Sequence, residues 1–284
     1  ARVVAGLKFL HPPEAFQEFI EIGKKISSLA EGRGASASGR IQGMVSGWAE
    51  LWLIDCFTSN YAFNVMGKDK VMATIKGEVP YTDPDWIAVL SLFKQMRESG
   101  VLDNGVLTMV NKTAEQLFAN QKAVFAFNGS WGVNVYKGMN PDLNYAVMLL
   151  PRASEKNPMS VWVSGSSFMV NARSINKEEA VKFLKWLTDC DQQSYLSDVT
   201  SNLPANKECL GKISPVLAQF ARDMELTTHP NMWEIAESPL VIEALDRGIQ
   251  SIIIGEKTPE QVATEVQSVK ERVQAKPQMP KNHL

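Results

Sequence analysis

The fold of this chain is indicated by residues 116–131, which read Gln-Leu-Phe-Ala-Asn-Gln-Lys-Ala-Val-Phe-Ala-Phe-Asn-Gly-Ser-Trp. The first residues complete a short helix, for which Thr113 with Gln116 three positions later predicts a capping-box start. The apolar run 123–127 lies between turn-forming residues, which is typical of a buried strand covered on both faces. The Asn-Gly pair ends that strand, and Ser130 is a candidate N-cap for the segment that follows.

The junction after this strand is a candidate ligand site. Open α/β sheets bind ligands at the carboxyl ends of their strands, where the start of the next segment also leaves backbone N–H groups unpaired. Trp131 stands just beyond the junction and offers a flat ring, with Asn128 and Ser130 as hydrogen-bonding neighbours. The sequence leaves open the alternative that Trp131 is a core aromatic.

Other tryptophans are candidates for the same role. Trp48 and Trp52 are four residues apart, so on a helix they would share one face. Trp48 follows a Ser-Gly break, which favours a ligand-facing position, whereas a core-facing pair is the alternative, above all for Trp52. Trp233, in an Asn-Met-Trp segment, is either a third ligand platform or a loop residue that anchors the chain.

Helix and strand signals alternate along the rest of the chain, which predicts an α/β fold. Extended segments are predicted at 144–150 and 161–170, and the second contains Ser164 and Ser166 in a run of small residues that a ligand can approach closely. Helix starts are predicted at Pro12-Pro13, Asp83-Pro84, Asn176, Pro239 and Thr258-Pro259. The helix after Asp83 has the spacing of a core element through Trp86, Val89, Leu90, Phe93 and Met96.

The composition excludes several classes of function. Positive and negative charges nearly balance, with a formal net charge of −2, so no electrostatic field attracts nucleic acid. No apolar run approaches the roughly 18 residues that a membrane span needs. The three cysteines and three histidines lack the spacing of metal ligands, so neither a metal nor a cofactor is predicted. At most one disulfide can form.

Six short segments follow one another along nearly the whole chain in the order typical of one protein family. They are Pro12-Pro13-Glu14-Ala15-Phe16-Gln17-Glu18-Phe19, similar to a Pro-x-Thr-Trp-x-Glu helix start; Phe118-x-x-x-x-Ala123 leading to Gly129-Ser130-Trp131; Leu150-Pro151; Gly165 ahead of the helix at 176–184; Leu203-Pro204-Ala205; and Gly255 to Val262. Together they resemble the extracellular solute-binding proteins of sugar-type ABC importers, the maltose-binding-protein-like family.

The resemblance implies a periplasmic binding protein fold of type II, an α/β architecture with two lobes of mixed sheets covered by helices. Family members generally carry a signal region and most of a first lobe before the helix that here starts at Pro13. The resemblance therefore implies that most of the first lobe is missing. It assigns residues 8–162 and 206–275 to the second lobe, 163–205 to a returning part of the first, and 276–284 to a flexible tail.

The resemblance also implies a function, which is binding without chemistry. A mono- or oligosaccharide would be held in the cleft between the lobes by aromatic stacking and hydrogen bonds, then delivered to the membrane permease of an ABC importer. The protein would act as a monomer in the periplasm or as a cell-surface lipoprotein. The implied stacking platforms are Trp131, Trp48 and Trp233, and the implied hydroxyl partners are Asn128, Ser130, Ser164 and Ser166.

Two alternatives stay open at this point. The same cleft would serve a sensor that presents its ligand to a chemoreceptor instead of a permease. A serine hydrolase is the second alternative, because residues 163–168 superficially resemble a serine nucleophile turn. However, Phe168 stands where the second glycine of that turn belongs, and the sequence indicates no partner base among its histidines.

Overall fold

A computed structural model describes residues 2–4, 7–9, 11–32, 41–102, 104–163, 167–206, 208–209, 213–226, 228–229 and 237–275. Over these residues helices alternate with short strands, so the chain is a helix-rich α/β protein, as the sequence predicts. The helices are α1 Phe16–Gly32, α2 Leu51–Lys76, α3 Pro84–Glu98, α4 Asn111–Ala119, α5 Gly132–Met139, α6 Lys177–Thr188, α7 Cys190–Thr200, α8 Pro215–Leu226, α9 Pro239–Ile254 and α10 Pro259–Ala275. The strands are β1 Arg2–Val4, β2 Leu7–Phe9, β3 Gln42–Val45, β4 Ala123–Ala126, β5 Val161–Trp162 and β6 Thr228–His229.

The strand predicted at 123–127 is confirmed as β4, which pairs in parallel with β3. Its neighbours in the register are Gln42 with Ala123 and Val45 with Ala126. Aromatic side chains cover the pair, because Phe125 packs on Phe19 of α1 at a ring-centroid distance of 5.2 Å. The parallel register brings the carboxyl ends of both strands to one edge, where the chain leaves β3 for α2 and β4 for α5.

The other predicted extended segments form little sheet. The prediction of a strand at 144–150 is wrong, because this segment has no strand partner in the described chain. Its Tyr145 instead packs edge-on against Phe118 of α4 and Tyr136 of α5, with ring centroids 5.9 and 5.5 Å away. Among the described residues of 161–170, Val161–Trp162 alone pair as a strand, in parallel with Thr228–His229.

The main core lies among α2, α3, α9 and α10. The five core residues predicted for α3 are all buried, which confirms the helical periodicity of that segment. Among the predicted helix starts, Asp83 and Thr258 cap their helices, whereas Asn176 holds the N-cap position of α6 without a side-chain cap hydrogen bond. The Asp83 side chain accepts a hydrogen bond from the Asp85 backbone N–H at 2.9 Å. At α10, Thr258 and Gln261 bond each other's backbone N–H groups reciprocally, as a capping box requires.

The α6–α7 pair is the least buried part of the described chain. No residue of α6 is buried, and the rings of Phe183 and Trp186 lie 5.7 Å apart while remaining 54% and 50% exposed. A disulfide joins Cys190, the first residue of α7, to Cys209, which is the single bridge that three cysteines allow. The pair therefore presents an apolar face that the rest of the described chain leaves uncovered.

One buried carboxyl group stands out in the helical core. Asp246 of α9 is 2% exposed, and its Oδ1 has no hydrogen-bond partner among the described residues. Burial raises the pKa of Asp246 well above its ordinary value, and the negative charges of Asp55 on α2 and Glu243 on α9 raise it further. The core consequently stabilises the protonated form of this side chain.

We expect the Asp246→Asn variant to gain stability relative to the wild type as the pH rises. Because the pKa of Asp246 is higher in the folded state, unfolding releases a proton between the two pKa values, so wild-type stability falls as the pH rises through that window. Asparagine keeps the shape and cannot ionise. Urea unfolding at about pH 4.5 and about pH 8 measures the difference in free energy of unfolding. A difference that does not grow with pH, or that exposed Asp142→Asn reproduces, would contradict this assignment.

Candidate ligand-binding site

The carboxyl ends of β3 and β4 are locked together by two hydrogen bonds. The Phe127 backbone N–H donates to the Val45 carbonyl at 3.0 Å, and the Ser46 hydroxyl donates to the Phe127 carbonyl at 3.0 Å. The segment from Ser46 to Glu50 therefore runs beside the segment from Phe127 to Trp131. This is the edge at which the sequence predicts a ligand site.

Two tryptophans, Trp52 and Trp131, meet at this edge. Trp131 directly precedes α5, and Trp52 lies in the first turn of α2. Their ring centroids are 5.8 Å apart at an interplanar angle of 48°, and both side chains are half-buried. The structure thus places Trp131 just beyond β4, as the sequence predicts, and it adds Trp52, for which the sequence left a core position and a ligand-facing position open.

Trp48 does not belong to this pair. Its side chain is fully buried, 5.2 Å from the ring of Phe57 and 5.8 Å from that of Phe93. Because α2 begins at Leu51, Trp48 precedes the helix, so the expected common face with Trp52 does not form. The expectation that Trp48 stacks on a ligand is corrected: it is a core residue in this structure.

Glu50 connects the tryptophan pair to α4. Its Oε2 accepts a hydrogen bond from Trp52 Nε1 at 3.1 Å, and its Oε1 accepts one from the Asn111 backbone N–H at 2.8 Å. Asn111 is the first residue of α4, so a carboxylate from a distant segment satisfies the start of this helix. The predicted capping box at Thr113 is wrong, because Thr113 already lies inside the first turn.

A second carboxylate, Glu115, holds the turn that carries Trp131. Its Oε1 accepts hydrogen bonds from the side-chain amides of Asn111 and Asn128, each at 3.0 Å. Asn128 also accepts from the Gly129 backbone N–H at 2.9 Å and donates to the Tyr136 hydroxyl at 3.2 Å. Burial, reinforced by the negative charge of Glu115, raises the pKa of Tyr136 to about 12, so this hydroxyl stays protonated at neutral pH.

Gly129 allows the ring of Trp131 to fold back over the turn. A Cβ atom built on Gly129 would lie 2.0 Å from a ring carbon of Trp131, far inside van der Waals contact. Ser130, the predicted N-cap, does not cap α5 with its side chain, since the helix begins at Gly132 and its N-cap position is Trp131. Ser130 is half-buried at the same edge, where the sequence predicts a partner for ligand hydroxyl groups.

Three of the expected site residues lie where the structure describes no residues. Trp233, Ser164 and Ser166 lie outside the described residues. The sequence in turn missed residues that the structure brings to the edge, namely Trp52, Glu50, Asn111, Glu115 and Tyr136. One signal was available, because Asn111 and Glu115 are four residues apart and share a helical face. The partners of Glu50 are distant in sequence, so no local pattern indicates them.

The described residues contain no group of three or more His, Cys, Asp or Glu side chains placed to hold a metal ion. Across the same residues, no helix combines the length and the apolar character that a membrane crossing requires.

Comparison with known protein families shows to which family this chain belongs. The family model for bacterial extracellular solute-binding proteins matches residues 4–228. This chain belongs to that family. The match confirms the resemblance drawn from the sequence segments, and it places the tryptophan pair within a solute-binding protein.

Curated relatives of this solute-binding protein are distant in sequence. The galactooligosaccharide-binding protein of Bacillus subtilis (strain 168) is 21% identical over 271 residues, covering 93% of this chain and 61% of the relative. The multiple sugar-binding protein of Streptococcus mutans is 25% identical over 206 residues, covering 71% of this chain and 46% of the relative. The chain thus spans between about half and three-fifths of these relatives.

Solved structures confirm the fold. A maltose-bound T. maritima protein superposes with a TM-score of 0.72 at 20% identity, covering 93% of this chain and 66% of that one. A sugar transporter protein from Bacillus licheniformis in complex with stachyose superposes with a TM-score of 0.71 at 18% identity, covering 91% and 66%. The solute-binding protein therefore has the periplasmic binding protein fold that the sequence resemblance implies.

We expect Gly129→Ala to displace the ring of Trp131, because the added methyl group cannot share its space with the indole. The near-ultraviolet circular dichroism of the tryptophan pair should change, while far-ultraviolet helicity stays the same. Gly138→Ala is the matched control, since a Cβ at Gly138 meets nothing within 4 Å. It should leave the aromatic signal unchanged and stabilise α5 by up to about 1 kcal/mol. Identical aromatic spectra for the two variants would contradict the packing of Trp131 over Gly129.

Proposed function

We propose that this solute-binding protein binds a carbohydrate at the carboxyl edge of β3 and β4 and acts as the receptor component of an ABC importer. The observation that carries the proposal is the half-buried pair of Trp52 and Trp131, set beside the carboxylate of Glu50 and the amide of Asn128. Flat apolar faces and polar acceptors thus occur together at one edge of the sheet.

This combination matches the surface of a sugar. A pyranose ring presents C–H groups on its faces, which pack on an indole ring, and hydroxyl groups on its rim, which bond carboxylates and amides. Ligand sites commonly combine an apolar lining with a few fixed polar groups in this way. We assign Trp131 and Trp52 as stacking platforms, with Asn128 and Ser130 as hydroxyl partners. Trp233, Ser164 and Ser166 stay predicted partners.

The relatives support a sugar over other solutes. The names and complexes of the proteins compared above involve galacto-oligosaccharide, multiple sugars, maltose and stachyose. We carry over only the shared class, carbohydrate, because sequence identity is low. The family consists of solute-binding proteins, which favours binding over the serine hydrolase alternative.

The division into lobes is part of the same proposal. We assign residues 8–162 and 206–275 to one lobe and 163–205 to a returning part of the other. The uncovered apolar face of α6 and α7 supports this division, since Phe183 and Trp186 would be covered by further elements of the first lobe. A cleft between two such lobes would close on the ligand before delivery to the permease.

The family and the disulfide favour an extracytoplasmic location, in the periplasm or at the cell surface. Disulfides persist in oxidising compartments, and Cys190 is bridged to Cys209. The family model describes extracellular proteins. We propose that the protein acts there as a monomer that docks on the membrane subunits of the importer. A sensor that presents the same ligand to a receptor would use the same edge.

A thermal-shift screen against neutral mono- and oligosaccharides should reveal a dose-dependent rise in melting temperature, because a ligand that binds only the folded state stabilises it. We expect Trp131→Ala to weaken binding of the responding sugar by about 1–2 kcal/mol, roughly tenfold, through loss of the stacking contact.

Trp186→Ala is the control for that substitution, because Trp186 lies on α6, outside the site, and is half exposed. Its affinity for the sugar should equal that of the wild type. A cooperative melt that no sugar shifts would contradict the carbohydrate proposal for this chain. Equal loss of affinity in both variants would contradict the assignment of Trp131.

A further inference from the structure

The start of α4 is a position where an anion would ordinarily be stabilised. The first backbone N–H groups of a helix lack partners within the helix, and the helix dipole adds partial positive charge there. Here the position is already filled by the Glu50 carboxylate, whose Oε1 lies 2.8 Å from the Asn111 nitrogen. The protein thus supplies its own anion at the edge proposed to hold the sugar.

Both oxygens of Glu50 are engaged, which fixes the carboxylate in place. While Oε1 satisfies α4, Oε2 accepts the hydrogen bond from Trp52 Nε1 at 3.1 Å. Trp52 in turn packs on Trp131 at 5.8 Å. The negative charge therefore lies immediately beside the aromatic platform and cannot swing away without releasing both the helix start and the indole.

No ion pair neutralises the acidic side chains of this site within the part of the chain that the structure describes. Neither Glu50 nor Glu115 forms an ion pair with a lysine or arginine there, although ten such pairs occur elsewhere in the described chain. Glu115 is 7% exposed, so its carboxylate is largely withdrawn from water. Charges in such surroundings are screened less than those on an open surface.

We propose that Glu50 is a specificity-determining residue that reserves this edge for uncharged sugars and excludes acidic ones. The inference rests on the proposed carbohydrate function and narrows its ligand class. A uronic acid would bring a carboxylate toward a position that Glu50 already occupies, and the buried carboxylate of Glu115 adds to the repulsion between like charges. A neutral sugar brings hydroxyl donors, which the remaining lone pairs of the carboxylates accept.

The test compares sugars that differ only in oxidation at C6: glucose with glucuronate, galactose with galacturonate, and α-1,4-galactobiose with digalacturonate. Titration calorimetry of the full chain at neutral pH measures the affinity for both members of each pair. For the wild type, the neutral member of a binding pair should bind at least about tenfold more tightly. Raising the salt concentration from about 0.05 to about 0.5 M should narrow this gap, because salt screens the repulsion.

Glu50→Gln keeps the size of the side chain and removes its charge, so the ratio of neutral to acidic affinity should fall by about threefold or more. Glu50→Asp keeps the charge and should keep a wild-type preference for the neutral member. The exposed Glu78→Gln is the control and should leave the ratio unchanged. A simple loss of structure would weaken both members together and would leave their ratio as it was.

Four outcomes would overturn the inference. Equal affinity of the wild type for the acidic and the neutral sugar of a pair excludes charge selection at this edge. A ratio that Glu50→Gln leaves unchanged excludes Glu50 as its source. If Glu50→Gln does not fold, the salt dependence of the wild type decides. A wild-type difference in affinity between neutral and acidic sugars that salt does not reduce excludes charge repulsion as its cause. If the protein melts cooperatively but binds neither these sugars nor any neutral sugar of the thermal-shift screen, the carbohydrate function itself is defeated, and the inference with it.

Discussion

The parallel pairing of β3 with β4 is the constraint on which the rest of the site depends. It brings two segments that are some 80 residues apart in sequence to one edge, where Ser46 bonds the Phe127 carbonyl across a separation of 81 positions. Four residues proposed to touch ligand follow these two strand ends: Trp52, Asn128, Ser130 and Trp131. A shift in the register of β4 would separate Trp131 from Trp52 and Asn128 from Glu115, although each helix could still form.

Close backbone approach makes that edge compact. A Cβ on Gly47 would lie 2.3 Å from the Asn111 nitrogen, so glycine lets the end of β3 lie directly against the start of α4. Gly129 does the same for the ring of Trp131. With the backbone this close, Glu50 accepts a hydrogen bond from the Asn111 backbone N–H, and Glu115 accepts one from the Asn111 side-chain amide. These hydrogen bonds tie the end of β3 to the start of α4 at this edge of the sheet.

Local chemistry explains which features the sequence could predict. β4, the cap at Asp83 and the reciprocal cap of Thr258 with Gln261 depend on neighbours within a few residues, and all are confirmed. The helix start at Asn111 was missed because its cap, Glu50, is 61 positions away. The segment at 144–150 has strand-like composition, but its aromatic side chain packs on helices instead. Tertiary contacts override local preference at both places.

The same distinction applies to the tryptophans. The position of Trp131 just beyond β4 was predictable because a strand, a turn and an aromatic ring follow one another directly in sequence. The choice between Trp48 and Trp52 depended on where α2 begins, and a start at Leu51 sends Trp48 into the core and Trp52 to the edge. Spacing alone could not decide this, because element boundaries are the least reliable part of a sequence-based prediction.

The most direct measurement is a ¹H–¹⁵N spectrum of the indole N–H groups of the seven tryptophans, recorded while a responding neutral sugar is added. The account predicts that the resonances of Trp131 and Trp52 shift together with saturable dose dependence. The resonances of Trp48 and Trp86, both fully buried, should stay in place. Shifts confined to other tryptophans, with Trp131 and Trp52 unmoved, would contradict the central claim that this pair forms the sugar-binding platform.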